Sequence, residues 1–125
     1  MPELKIASTN ATPEIDFSVN QEIQRIKGVS TPIDSVEFYS PLIQWINKNE
    51  NNIVPNAKFE FELNYFNSSS MKALVWLLQQ IEEMIMNGKS WSIQWVIVDE
   101  DEFMEEAAEA MQTLLEVPVI VIRRS

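Results

Sequence analysis

Three consecutive hydroxyl side chains, Ser68, Ser69 and Ser70, stand directly after Asn67 and ahead of an apolar series at helical spacing, Met71, Leu74, Val75, Leu78, Ile81 and Ile85. Small polar residues at such a junction are helix caps, because their side-chain oxygens accept hydrogen bonds from first-turn amides that have no partner within the helix. The same place suits a covalent phosphate, since free amides and the positive end of the helix dipole receive an anion with little strain. Read locally, capping is the better account of the serines, and phosphorylation is the functional alternative. A serine nucleophile is a third reading, but it needs an activating base, and the only candidate close by is Lys72. The chain has neither His nor Cys. It therefore lacks the commonest general base, the commonest transition-metal ligand and all thiolate chemistry, which removes most hydrolase mechanisms, cysteine-bound metals and disulfides.

Two acidic groups are the other places where side chains could act together. Asp99, Glu100, Asp101, Glu102, Glu105 and Glu106 could offer oxygen to a hard cation, but the ligand spacing and the glycine of a calcium loop are missing. Carboxylates in the first turn of a helix favour its dipole, and that is the reading adopted for this run. Glu60 and Glu62 share one side of an alternating segment that brings no nucleophile or electrophile with it, so they read as a solvated strand face rather than an acid/base pair. No metal and no cofactor is expected. Among the tryptophans, Trp45, Trp91 and Trp95 lie on apolar stripes and read as core. Trp76 lies beside the Leu74, Val75, Leu78 stripe, where it is as well placed to meet a partner as to pack.

The elements that must position these groups follow from periodicity. Leu4 to Ala7, Glu14 to Val19 and Glu22 to Lys27 alternate and read as an antiparallel meander. Gly28 and Pro32 interrupt the pattern, after which Val36, Phe38, Tyr39, Leu42, Ile43, Trp45 and Ile46 form a helical stripe. That helix starts either with Ser35 as cap and bends at Pro41, or with Ser40 as cap and Pro41 at its first position. Lys58 to Phe66 is a strand with Phe59, Phe61, Leu63 and Tyr65 on one side and Glu60, Glu62 and Asn64 on the other. The serine-led helix follows and ends at Asn87 and Gly88. Trp91 to Val98 is apolar on both sides, as a central strand is. A third helix opens on the acidic run and buries Met104, Ala107, Ala108, Met111, Leu114 and Leu115, and Val119 to Ile122 is the last strand. Strands alternating with helices call for right-handed crossovers and parallel pairing. The fold class is α/β, one domain over residues 1–125, with a mixed β-sheet, antiparallel N-terminal strands and about three helices.

Nine Lys plus Arg against nineteen Asp plus Glu leave a formal charge of -10, which repels phosphate backbones and anionic lipid, so nucleic acid is not expected as a partner. No apolar run approaches the roughly 20 residues of a membrane span, and the first residues have no signal-peptide pattern. A cytoplasmic location without membrane insertion is the expectation.

Four stretches resemble the SiaC family of bacterial regulatory phosphoproteins, small STAS-like domains related in fold to anti-sigma-factor antagonists. They are TPEIDF from Thr12 to Phe17, GVSTPIDSVEFYSPLIQWI from Gly28 to Ile46, LNYFNSSSMKAL from Leu63 to Leu74, and the Trp95 strand running into DEDEFMEEA. The resemblance implies a switch protein without catalysis of its own. Its unmodified form would bind and activate a diguanylate cyclase. A partner kinase would phosphorylate the hydroxyl that follows the YFN element, and a PP2C-type phosphatase would remove the phosphate. Matched residue by residue, that hydroxyl belongs to Ser68, where the family usually has threonine. Asn67, Ser69, Ser70, Lys72 and Trp76 are then the candidate partner-binding residues around it. The competing reading is a STAS-like module that binds a small ligand or oligomerises, with the serines serving only as caps.

Overall fold

The computed structural model describes residues 3–125. Strands β1 (Glu3–Ile6), β2 (Glu14–Ser18) and β3 (Ile23–Ser30) make the meander, and α1 (Ser35–Asn49), β4 (Lys58–Phe66), α2 (Ser68–Met86), β5 (Ser92–Val98), α3 (Glu102–Leu114) and β6 (Val119–Arg124) follow in alternation. The six strands lie in chain order across one sheet, antiparallel from β1 to β3 and parallel from β3 to β6. Three right-handed crossovers stepping the same way across a sheet turn to the same side, which puts the helices on one face. Phe17, Phe59, Phe61 and Trp95 from the strands and Leu74, Leu77, Leu78 and Ile81 from α2 meet there with no exposed surface. The mixed α/β class is as the alternation requires.

Several local details differ from the pattern reading. Gly28 does not end its strand: β3 runs on to Ser30, with Gly28 at φ +130, a conformation in which a side chain is strained. At this point the β3–β4 register slips, Gly28 pairing with Leu63 and Val29 with Tyr65, so that Asn64 is the extra residue of a bulge. The slip reverses the faces beyond it. Tyr65 is therefore turned out, 48% exposed, and Phe66 is buried instead. Helix α1 is a single helix that contains Pro41, and its cap is Asp34 rather than Ser35 or Ser40, with the Asp34 carboxylate accepting from the Glu37 amide at 3.0 Å. Val36 and Leu114, both placed on buried stripes by periodicity, are largely exposed.

The face of the sheet opposite the helices also needs correcting. Glu60 is 1% exposed rather than solvated, because Arg25 from β3 and Arg124 from β6 lie over it at 3.1 and 3.3 Å. Arg124 also reaches Glu62 at 2.8 Å, Lys27 approaches Glu62 at 3.6 Å, and Lys5 pairs with Asp16 farther along. This ladder makes a charged sheet face compatible with water and leaves no free carboxylate pair for acid/base work. Burial raises the Glu60 carboxyl, but its bonds to Arg124 and Arg25 outweigh burial and hold it below the usual glutamate range. A carboxyl depressed in the folded state adds stability that is present above its unfolded value and drains away as the pH falls through the folded one. Both arginines keep solvent access, so Glu60→Gln is expected to cost only about 1–2 kcal/mol at pH 7. The difference should shrink at pH 3. Urea denaturation of both proteins at the two pH values checks this, and a gap that persists undiminished in acid contradicts it.

Candidate functional site

The extension of β3 to Ser30 sets up the site. Ser30 pairs with Phe66 at the carboxyl end of β4, and its carbonyl accepts from the Asn67 amide at 3.3 Å. Asn67 caps α2, its side-chain oxygen accepting from the Ser70 amide at 3.0 Å, while Asp34 caps α1 next to it. Two helix N-termini thus lie side by side at the carboxyl ends of parallel strands, the end of an open α/β sheet where binding sites recur.

The three serines divide into different roles. Ser70 has no exposed surface, and its hydroxyl lies 2.9 Å from that of Ser30 and 3.4 Å from that of Ser35. Ser69 is exposed, but its hydroxyl is 2.8 Å from Ser35 and donates to the Asn67 cap oxygen at 3.4 Å. Ser30 is in turn 2.7 Å from the phenol of Tyr39, which burial pushes up to about 12 even though its bond to Ser30 opposes the shift. Ser68 is exposed, and its hydroxyl makes no hydrogen bond to any other described residue. It is the one serine of the three whose hydroxyl has no hydrogen-bond partner among the described residues.

Ser68 opens onto a groove of about 730 Å³ between the two helix starts. Ile33 and Val36 wall it from the α1 side, and Ser69, Lys72 and Trp76 from the α2 side. Ile33 is fully exposed, Val36 is 60% exposed and Trp76 40%, so exposed apolar side chains stand beside the polar Ser69 and Lys72 in the lining.

The model of the SiaC family of regulatory phosphoproteins matches residues 6–124. The chain belongs to the SiaC family. An uncharacterised protein of Pseudomonas aeruginosa (strain UCBPP-PA14) is 28% identical over 109 residues, which span 87% of this chain and 86% of that protein. A solved structure of SiaC of Pseudomonas aeruginosa has a TM-score of 0.86 at 25% identity, covering 99% of this chain and 100% of its own. A structure of the diguanylate cyclase SiaD in complex with its activator SiaC, also from Pseudomonas aeruginosa, supplies a match with a TM-score of 0.86 at 26% identity, over 97% of this chain and 99% of that one. The SiaC fold therefore extends over the sheet, the helices and the serine junction alike.

Within this SiaC-family fold Ser68, Ser69, Lys72 and Trp76 come together at one groove, with Asn67 at its lip as the cap. Ser70 departs from expectation: as a fully buried residue it offers a partner no surface. Trp45, Trp91 and Trp95 are in the core. The acidic run is occupied structurally, Asp101 capping α3 and Glu105 pairing with Arg123. Among the described residues no cluster of acidic side chains is arranged to hold a metal, and no helix is long and apolar enough to cross a membrane. Sequence reasoning missed Ser30, Ser35 and Tyr39 as supports of the site and Ile33 as its wall. Ile33 carried a signal, an apolar residue between Pro32 and the cap Asp34 and outside any helical stripe.

Proposed function

We propose that this SiaC-family chain is a phosphorylation-controlled adaptor. In its unmodified form it docks on a diguanylate cyclase through the groove between α1 and α2 and activates it. A kinase adds a phosphate to Ser68, and a PP2C-type phosphatase removes it. Residues 1–125 act as one module in the cytoplasm, contributing a surface and a switch rather than catalysis. The observation that carries the reading is the position of Ser68: the free, exposed hydroxyl of the serine run stands at the mouth of an apolar groove. A modification there changes the charge of the docking surface without entering the core. The described activator role of SiaC toward SiaD supports the cyclase as the class of effector.

The groove makes a direct prediction. Trp76 is a large side chain with its edge in solvent, and aromatic anchors of this kind dominate interface energies. Trp76→Ala is expected to weaken cyclase binding by about tenfold or more, and exposed Lys72→Ala by less, while both variants melt close to the wild type. Calorimetric titration of the cyclase with each variant measures the effect. Unchanged affinity for both variants would remove the groove from the interface, and loss of folding in Lys72→Ala would contradict its surface position.

A further inference from the structure

The hydroxyls beneath the groove have a direction that follows from proton counting. Each hydroxyl has one proton to give. Ser30 gives its proton to Ser70 at 2.9 Å, so the 2.7 Å contact between Ser30 and Tyr39 is carried by the proton of the phenol. Tyr39 keeps that proton throughout the physiological range, its phenol being pushed up to about 12 by burial. Ser70 then gives to Ser35 at 3.4 Å, Ser35 to Ser69 at 2.8 Å, and Ser69 to the Asn67 side-chain oxygen at 3.4 Å. That oxygen also accepts the Ser70 amide, so the chain of protons ends on the cap of α2. It starts on a phenol with no exposed surface in α1, passes the end of β3, crosses to α2, returns to the first residue of α1 and finishes on α2.

We propose that Ser35 and Ser70 are positioning residues, the middle of a polarised hydroxyl clasp that holds the first turn of α2 against the start of α1. The clasp fixes the separation of the two groove walls and commits the hydroxyls of Ser69 and Ser70, leaving Ser68 alone presented. The inference rests on the docking role of the groove for its functional meaning, but not for its existence. Direction gives it a signature that general packing does not have. Tyr39 is at the donating end, so removing its hydroxyl leaves every later proton in place. Ser35 is the acceptor for Ser70 and the donor to Ser69, so removing its hydroxyl releases both.

The test uses the whole protein without partner, followed by amide hydrogen exchange and by the indole N–H resonance of Trp76, assigned through Trp76→Phe. Ser35→Ala is expected to speed exchange at Ser70 and Met71, the amides held by Asn67, by about tenfold and to shift the Trp76 resonance. Ser35→Thr, which keeps the hydroxyl, should restore both readouts. Tyr39→Phe should leave both as in the wild type, whatever it does to global stability. A Ser35→Ala protein with wild-type exchange at those amides, or a Tyr39→Phe protein that loosens them equally, overturns the clasp. Cyclase titration separates the two readings: if Ser35→Ala loosens the turn and moves Trp76 but binds the cyclase as tightly as before, the clasp stands and the groove is not the docking site.

Discussion

Leu78→Ala is expected to lower the stability of the protein by about 2–5 kcal/mol, a large part of what a domain of this size possesses. Leu78 has no exposed surface and lies midway along α2, on the stripe that also buries Leu74, Leu77 and Ile81. Removing its side chain loses the transfer free energy of the deleted atoms and leaves a cavity, because a close-packed interior relaxes only partly. Phe59, Phe61 and Trp95 belong to the same buried core, with Phe61 and Trp95 stacked at 5.8 Å between ring centres. Urea denaturation monitored by far-ultraviolet circular dichroism gives the value directly. A loss below about 1 kcal/mol would mean that α2 docks by a different face, and with it the outward aim of Ser68, Lys72 and Trp76 would be wrong.

Phosphorylation of Ser68 is expected to reduce affinity for the effector by about a hundredfold or more while leaving the fold intact. A phosphoserine carries about 1.5 to 2 negative charges at neutral pH. At the first residue of α2 it meets the positive end of the helix dipole, worth up to about 2 kcal/mol, and Lys72 stands one turn farther along the same helix. The free protein therefore accommodates the group. A partner seated in the groove must bury or closely approach that charge beside the apolar Ile33, Val36 and Trp76, and Lys72, the cation of the groove lining, pairs a dianion only in part. Poorly paired charge in an interface costs several kcal/mol, and every 1.4 kcal/mol is tenfold in affinity. Ser68→Ala should keep the affinity of the unmodified form and resist the kinase. Ser68→Asp, with a single charge on a shorter side chain, should reproduce only part of the loss. Circular dichroism on modified and unmodified protein is the companion measurement. A collapsed spectrum in the modified form would show that the switch works by melting α2 rather than by charging the groove.

The parts of this structure that were legible in advance are those written as repeated local pattern. The 3.6-residue stripe of α2, the alternation of Lys58 to Leu63 and the two-sided apolar strand around Trp95 each repeat several times, so tertiary contacts reinforce what local preference already says. The α2 junction announced a cap, but the cap expected of the serines is Asn67, and Ser68, Ser69 and Ser70 form the first turn of the helix instead. What could not be read were the consequences of single positions acting at a distance. Gly28 looked like a breaker, yet it carries the strand through a bulge whose partner residue, Asn64, lies 36 positions later in the chain. The bulge is a property of the pair, and it turned Tyr65 outward against its own alternation. Glu60 looked solvated because the arginines that cover it come from two other strands, one of them at the end of the chain. Around the site the same division holds. The serine run was visible as a feature, but its partition into two committed hydroxyls and one free hydroxyl depends on Ser30, Ser35 and Tyr39, which meet it only after folding.

The account turns on one comparison, the rate at which a diguanylate cyclase makes its cyclic dinucleotide when titrated with this protein unmodified and with the same protein carrying phosphate on Ser68. The account predicts saturable stimulation by the unmodified protein and, at the same concentrations, a rate near the unstimulated one with the phosphorylated protein; equal stimulation by both forms would contradict it.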